Sequence, residues 1–226
     1  MKCSLNATHF LRTEMLLLAA LLDVERVAVA LRNGLVHCEP NFVLPQSVQS
    51  IRRHVLERRA QFATASSFSS DGQMDMGLRN AFTCRPDLGN DAFATLYDKL
   101  DDARVELSAA LGEQFAPGME ATFVIYPVGG FYQRHIDSIE GVDPSGSGQR
   151  AVSYIVYLSE CDQEWAPNDG GALRAYHSDA PAAEGSWSDV LPHSGSLVLF
   201  DSKRVWHEVR PTLRERICLV GWIRAA

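Results

Sequence analysis

Three side chains in this sequence are suited to metal chemistry: His135, Asp137 and His207. In the run Tyr132-Gln-Arg-His-Ile-Asp137 the two-residue period of a strand puts His135 and Asp137 on one face. The run leaves room for a turn or bulge near Tyr132 and Arg134. His207 lies 72 residues after His135 and would come from a second strand. Two imidazoles and one carboxylate on one side of a metal leave positions open opposite them, the facial arrangement that suits non-haem iron(II). A bare His-x-Asp also arises by chance, and the surrounding sequence is what gives this one weight.

The run Ser196-Leu-Val-Leu-Phe-Asp-Ser-Lys-Arg-Val-Trp-His-Glu-Val209 places His207 just after an apolar strand and a polar turn. Nine residues on, Arg216 opens the alternating strand Arg-Ile-Cys-Leu-Val-Gly-Trp222. Arg216, Cys218, Val220 and Trp222 share a face. An arginine in an apolar strand is costly unless its charge is paired. A dicarboxylate co-substrate would supply the anion through the planar guanidinium fork. Arg214 has the same parity and is the alternative anion binder.

These residues need a scaffold, and the periodicity changes along the chain. Residues 14–32 are rich in helix formers and end at Gly34, a helix-stop signal. Leu35-Val-His-Cys38 is a short strand candidate. Pro45 opens a second helix, with Val48, Ile51, Val55 and Leu56 on one side and arginines on the other. A third helix is predicted over 91–112. Residues 64–77 and 138–150, rich in Ser, Gly, Asp and Pro, read as loops near the metal-bearing mouth. Strands follow over Ala121–Tyr126, Phe131–Ile136, Ala151–Leu158, Ala172–Tyr176, Ser196–Phe200, Val205–Val209 and Arg216–Ile223. Short strands after helices predict an α+β fold, a jelly roll backed by N-terminal helices. The division expected is a helical support region over 1–115 and a jelly-roll core over 116–226, in one compact domain.

Composition narrows the partners. The 226 residues carry 21 Lys and Arg against 28 Asp and Glu, a net charge of −7, which disfavours a nucleic-acid binder. The apolar run Met15-Leu-Leu-Leu-Ala-Ala-Leu-Leu22 is bracketed by Glu14, Asp23, Glu25 and Arg26. It reads as a packed N-terminal helix rather than a leader or a membrane span. Five scattered cysteines, with no C-x-x-C pair, fit free thiols in a reducing compartment, hence a cytoplasmic protein. Oligomeric state leaves no signature in the sequence.

Residues 121–224 resemble the 2-oxoglutarate- and Fe(II)-dependent oxygenase superfamily, and within it the prolyl 4-hydroxylase branch that includes the hypoxia-sensing enzymes. The shared pieces are Tyr-Pro-x-Gly-Gly-x-Tyr-x-x-His-x-Asp, Tyr-Leu, Gly-Gly-x-Leu, Leu-Val-x-Phe, His-Glu-Val-x-Pro and a final Arg with Trp six later. The resemblance implies a double-stranded β-helix, with His135, Asp137 and His207 as iron ligands. It implies that Arg216 binds the distal carboxylate of 2-oxoglutarate, with Tyr157 and Tyr126 lining that pocket. Tyr132 and Trp222 become pocket-wall aromatics, and Arg150 an arginine near the substrate.

The activity implied is hydroxylation of a C–H bond, of a prolyl residue in a protein or peptide, with succinate and CO2 released and ascorbate helping to restore Fe(II). Gly77-Leu-Arg-Asn-Ala-Phe82 departs from the family pattern by lacking an expected Asp and Trp, which bears on the substrate and not on the core chemistry. The alternatives are a free amino acid or small metabolite as substrate, and a metal-binding jelly roll without turnover.

Overall fold

The computed structural model describes residues 22–65, 77–87, 89–138, 148–177 and 186–226. Residues 14–21 of the expected helix over 14–32, and most of the two loops at 64–77 and 138–150, lie outside the described residues.

Helix α1 spans Val24–Arg32. The Asp23 carboxylate accepts from the Arg26 amide, which satisfies a free amide of the first turn, and Gly34 takes the left-handed conformation just past its end. Helix α2, Pro45–Glu57, begins on Pro45 and buries Val48, Ile51 and Val55. Leu56, expected on that buried face, is exposed, because it lies one position beyond the three-and-four spacing of the other three. Helix α3, Asp91–Leu111, is capped by the Asn90 side chain and buries Phe93, Leu96, Leu100, Ala103 and Leu107. Each fully buried large side chain of that stripe contributes about 1.5–3 kcal/mol.

The strands form two antiparallel sheets. The larger has the order β1-β10-β7-β12-β5-β4-β2: His37–Glu39, Leu197–Asp201, Arg150–Tyr157, Arg216–Arg224, Glu120–Tyr126, Phe82–Cys84 and Ala63–Thr64. The smaller has the order β3-β6-β11-β8-β9: Arg79–Asn80, Phe131–His135, Trp206–Val209, Leu173–Tyr176 and Trp187–Val190. This is the expected jelly roll, with β2, β3, β4 and β9 added at the edges.

Strand β12 separates two cores. Ile217, Leu219 and Ile223 pack with Phe93, Leu107 and Val48 on the helix side. Cys218 lies on the opposite face with Tyr126, Tyr157 and Phe200, between the sheets, with Val220 packed against them. The helices thus cover one face of the large sheet and leave its other face to the smaller sheet. No helix among the described residues is long and apolar enough to cross a membrane.

Candidate active site

His135 ends β6, and His207 sits directly opposite it on β11. Asp137 is not on the strand, as the alternation had placed it, but two residues past the strand's end. It is held by other means. The Ser153 hydroxyl on β7 donates to Asp137 Oδ2 at 2.6 Å, and the Ser138 amide donates to the Ser202 carbonyl at 3.0 Å. Ser153 Oγ also lies 2.8 Å from Ser202 Oγ. Sequence reasoning missed Ser153, although a lone serine inside the apolar run Ala151-Val-Ser-Tyr-Ile155 is a signal of a buried polar contact.

The ligating atoms of His135, Asp137 and His207 lie within 4.8 Å of one another. His135 Nδ1 lies 2.7 Å from the Gln133 carbonyl, and His207 Nδ1 lies 3.1 Å from the Val205 carbonyl. A carbonyl can only accept, so each Nδ1 carries a proton and each Nε2 is the nitrogen left to face a metal. Those two Nε2 atoms stand 3.4 and 3.8 Å from the Asp137 carboxylate. Burial pushes the Asp137 pKa up, but His207, His135 and the Ser153 hydroxyl pull it well below the usual carboxylate range. Burial, reinforced by His135, lowers His207 to about 4 despite the pull of Asp137. Burial thus holds His207 neutral beside the Asp137 carboxylate, and two imidazoles with one carboxylate make a donor set that fits iron(II).

Arg216 lies in the same cleft, of about 430 Å3, lined also by Tyr126, Tyr132, Trp222 and Arg79. It is 1% exposed. Its Nη1 donates to Cys218 Sγ at 3.4 Å, while its Nε and Nη2 have no acceptor among the described residues. The buried Tyr157 hydroxyl is unpartnered too. Burial pushes its pKa up to about 12, against the pull of Arg216, so it remains a donor. The rings of Tyr126 and Tyr157 lie 4.9 and 5.0 Å from the guanidinium carbon. Buried donors without acceptors are costly, and here they gather around one guanidinium at the cleft. Arg214, the alternative anion binder, is committed elsewhere: it pairs with Asp169 at 3.0 Å and lies 4.7 Å over Trp165.

Tyr132 stacks on His135 with ring centroids 3.7 Å apart. A bulge allows this. Strand β11 advances two residues, His207 to Val209, while β6 steps back three, His135 to Tyr132, which turns Tyr132 onto the metal-ligand face. Trp222 lines the cleft with its Nε1 buried and unpartnered. Arg150 is not among the residues lining the cleft. It pairs with Glu120 through two bonds of 3.0 and 2.9 Å and lies 3.5 Å over Trp222, behind the wall. Arg79 does line the cleft and was missed, because a two-residue strand carries no readable period.

Two antiparallel sheets closing on two histidines, a carboxylate and a buried arginine define the class of jelly-roll oxygenase sites. The family model described as the 2OG-Fe(II) oxygenase superfamily matches residues 121–224, the part of the chain that carries the two histidines, Asp137 and Arg216. A prolyl-4-hydroxylase from Pseudomonas putida is similar over 90% of this chain and 99% of its own, at 29% identity and a TM-score of 0.73. A Trichoplax adhaerens prolyl hydroxylase, solved with a hypoxia inducible factor peptide fragment, shares the fold at 22% identity and a TM-score of 0.70, covering 89% and 90% of the two chains. A prolyl 3,4-dihydroxylase, OGFOD1, of Ostreococcus tauri is 35% identical over 82 residues. That match spans 33% of this chain and 16% of the relative's length.

Proposed function

We propose that this protein is an Fe(II)- and 2-oxoglutarate-dependent dioxygenase that hydroxylates a C–H bond of a prolyl residue in a protein or peptide, releasing succinate and CO2. The observation that carries this reading is the set of buried donors with no acceptor: Arg216 Nε and Nη2, in the cleft that also holds the two histidines and Asp137, and the hydroxyl of Tyr157, whose ring lies 5.0 Å from that guanidinium. A metal-binding jelly roll without turnover has no need of them.

In this reading His135, Asp137 and His207 hold iron(II), which when bound supplies the activation of dioxygen that attack on a C–H bond requires. Arg216 takes the distal carboxylate of 2-oxoglutarate through its fork, and Tyr157 donates its hydroxyl proton to the same group. Tyr126 packs against the guanidinium and keeps water from it. The ring of Tyr132 fixes the His135 imidazole, and Trp222 forms the wall against which the substrate is oriented. Arg150 acts on the substrate only through Trp222, which it stacks on. Ascorbate as the reductant that restores Fe(II), and a reducing, cytoplasmic setting, belong to the same proposal. The setting is supported by Cys218 standing buried as a free thiol beside Arg216.

The prolyl substrate is supported by the likeness to the Pseudomonas putida enzyme across nearly the whole of that chain. The test is succinate release with Fe(II), 2-oxoglutarate and ascorbate, with and without proline-containing peptides. Peptide-stimulated succinate, with one added oxygen on proline, is expected. His135→Ala, Asp137→Ala and His207→Ala should each abolish it while the fold is retained. Stimulation by free amino acids alone would assign the substrate to small metabolites.

A further inference from the structure

Three charged side chains line the cleft among the described residues: Asp137, Arg216 and Arg79. The last has no role in the chemistry above. Arg79 sits on β3, with its guanidinium carbon 4.6 Å from the Tyr132 ring centroid and 5.8 Å from that of Tyr126. Tyr126 thus lies within reach of two guanidinium groups, Arg216 and Arg79. Arg79 Nε is buried without a hydrogen-bond partner, and no carboxylate among the described residues pairs with this side chain. Its neighbours on the wall are tyrosine rings, which hold a guanidinium by its faces and leave its in-plane donors to a ligand.

Charge counting says what that ligand is. Two arginines and one aspartate leave the cleft with one positive charge. A divalent metal raises this to three, and a dicarboxylate co-substrate lowers it to one. Among the described residues, the site with both groups bound therefore retains one uncompensated cation. Arg216 is engaged with the co-substrate, so the remaining charge resides at Arg79, beside Tyr132 and in the same cleft as His135.

We propose that Arg79 is a specificity-determining residue that binds a carboxylate carried by the substrate. The carboxylate belongs either to the reacting residue itself or to an acidic side chain next to it. This rests on the reading that Arg216 and the metal take up 2-oxoglutarate.

The test measures binding rather than turnover, on the full chain loaded with zinc(II), which has no redox chemistry, and saturated with 2-oxoglutarate. Two probe pairs separate the two sources: N-acetylproline against N-acetylprolinamide, and N-acetyl-Gly-Pro-Asp-Gly-amide against its Asn counterpart. For at least one pair, the wild type should bind the carboxylate about tenfold more tightly than the amide, as a charge-assisted hydrogen bond allows. Arg79→Gln should reduce that preference to less than about threefold, and Arg79→Lys should keep part of it, since lysine supplies the charge without the fork. The affinity for 2-oxoglutarate should stay within about threefold in both variants.

No carboxylate preference in the wild type, including no binding of either carboxylate probe, overturns the proposal. So does a preference that survives Arg79→Gln. A 2-oxoglutarate defect in Arg79→Gln as large as that of Arg216→Ala would make Arg79 part of the co-substrate site and overturn it as well. A carboxylate preference that depends on Arg79 in a protein that does not bind 2-oxoglutarate would instead remove the oxygenase reading and leave Arg79 as an anion-binding residue.

Discussion

At the scale of the residue, two arginines separated by one position have different fates. Arg214 is tied to Asp169 and Trp165, while Arg216 is buried with two donors free. Truncating a buried charged partner costs on the order of 2–5 kcal/mol. Arg216→Ala should therefore weaken 2-oxoglutarate binding by roughly 30-fold or more, since about 1.4 kcal/mol is tenfold. Iron affinity should change little, and Arg214→Ala should leave 2-oxoglutarate binding nearly unchanged. Calorimetric titration of the two variants checks this, and a large defect in Arg214→Ala instead would reverse the assignment.

The residues that were legible in the sequence are those whose chemistry is expensive in their setting. An arginine in an apolar strand and a His-x-Asp followed by a distant histidine mark themselves. Ser153 and Arg79 did not, for opposite reasons. A lone serine in an apolar run signals a buried polar contact but does not say with what, and Arg79 sits in an element too short to show which way it faces.

At the scale of the element, β12 does two jobs with alternate residues, and Gly221 shows how tightly it is held. Tyr154 on β7 crosses above Gly221, and its hydroxyl donates to the Glu120 carbonyl at 2.7 Å. A Cβ at 221 would collide with both the Glu120 carbonyl and the end of the Tyr154 ring. Neither can retreat, because Tyr154 is fully buried and Glu120 is paired to Trp222 across the ladder. Gly221→Ala should destabilise the protein by about 1–3 kcal/mol through overpacking. Thermal unfolding checks this, and an unchanged melting temperature would mean that the strands spread without cost.

The same strand explains which elements could be read beforehand. Strands β5, β7, β10 and β12 are long enough to show alternation or continuous apolar character, and their predicted bounds lie within a residue or two of the observed ones. Strands β2, β3 and β4 have two or three residues each and exist because β5 and β6 offer free edges, which is information carried by the partner and not by the segment. The Tyr132 bulge is likewise set by pairing with β11. From parity alone Tyr132 faces away from His135.

At the scale of the whole molecule, the large sheet packs the helices on one face and the smaller sheet on the other, and the His135, Asp137 and His207 cluster joins the two sheets through Ser153. Loss of the ligand geometry should therefore be felt in global stability. His207 has a pKa of about 4 when folded against an ordinary 6.5. As pH falls through that window the unfolded chain takes up a proton that the folded chain excludes, so stability falls with acidification. Asp137 is depressed when folded, and its contribution is lost at still lower pH, below the ordinary carboxylate range. For the metal-free protein the His207 effect alone amounts to roughly 2 kcal/mol between pH 7 and pH 5. Urea unfolding at the two pH values should show this loss, and His207→Gln should remove most of it. A midpoint that stays constant from pH 7 to pH 5 would mean that His207 is not buried in its neutral form.

The central claim is that one cleft binds metal and a dicarboxylate together. Anaerobic calorimetric titration of 2-oxoglutarate into the Fe(II)-loaded protein tests it most directly. The account predicts binding of one equivalent, weakened by roughly tenfold or more when the metal is withheld and by a similar or larger factor in Arg216→Ala. Absence of binding, or binding of equal strength with and without both metal and Arg216, would contradict it.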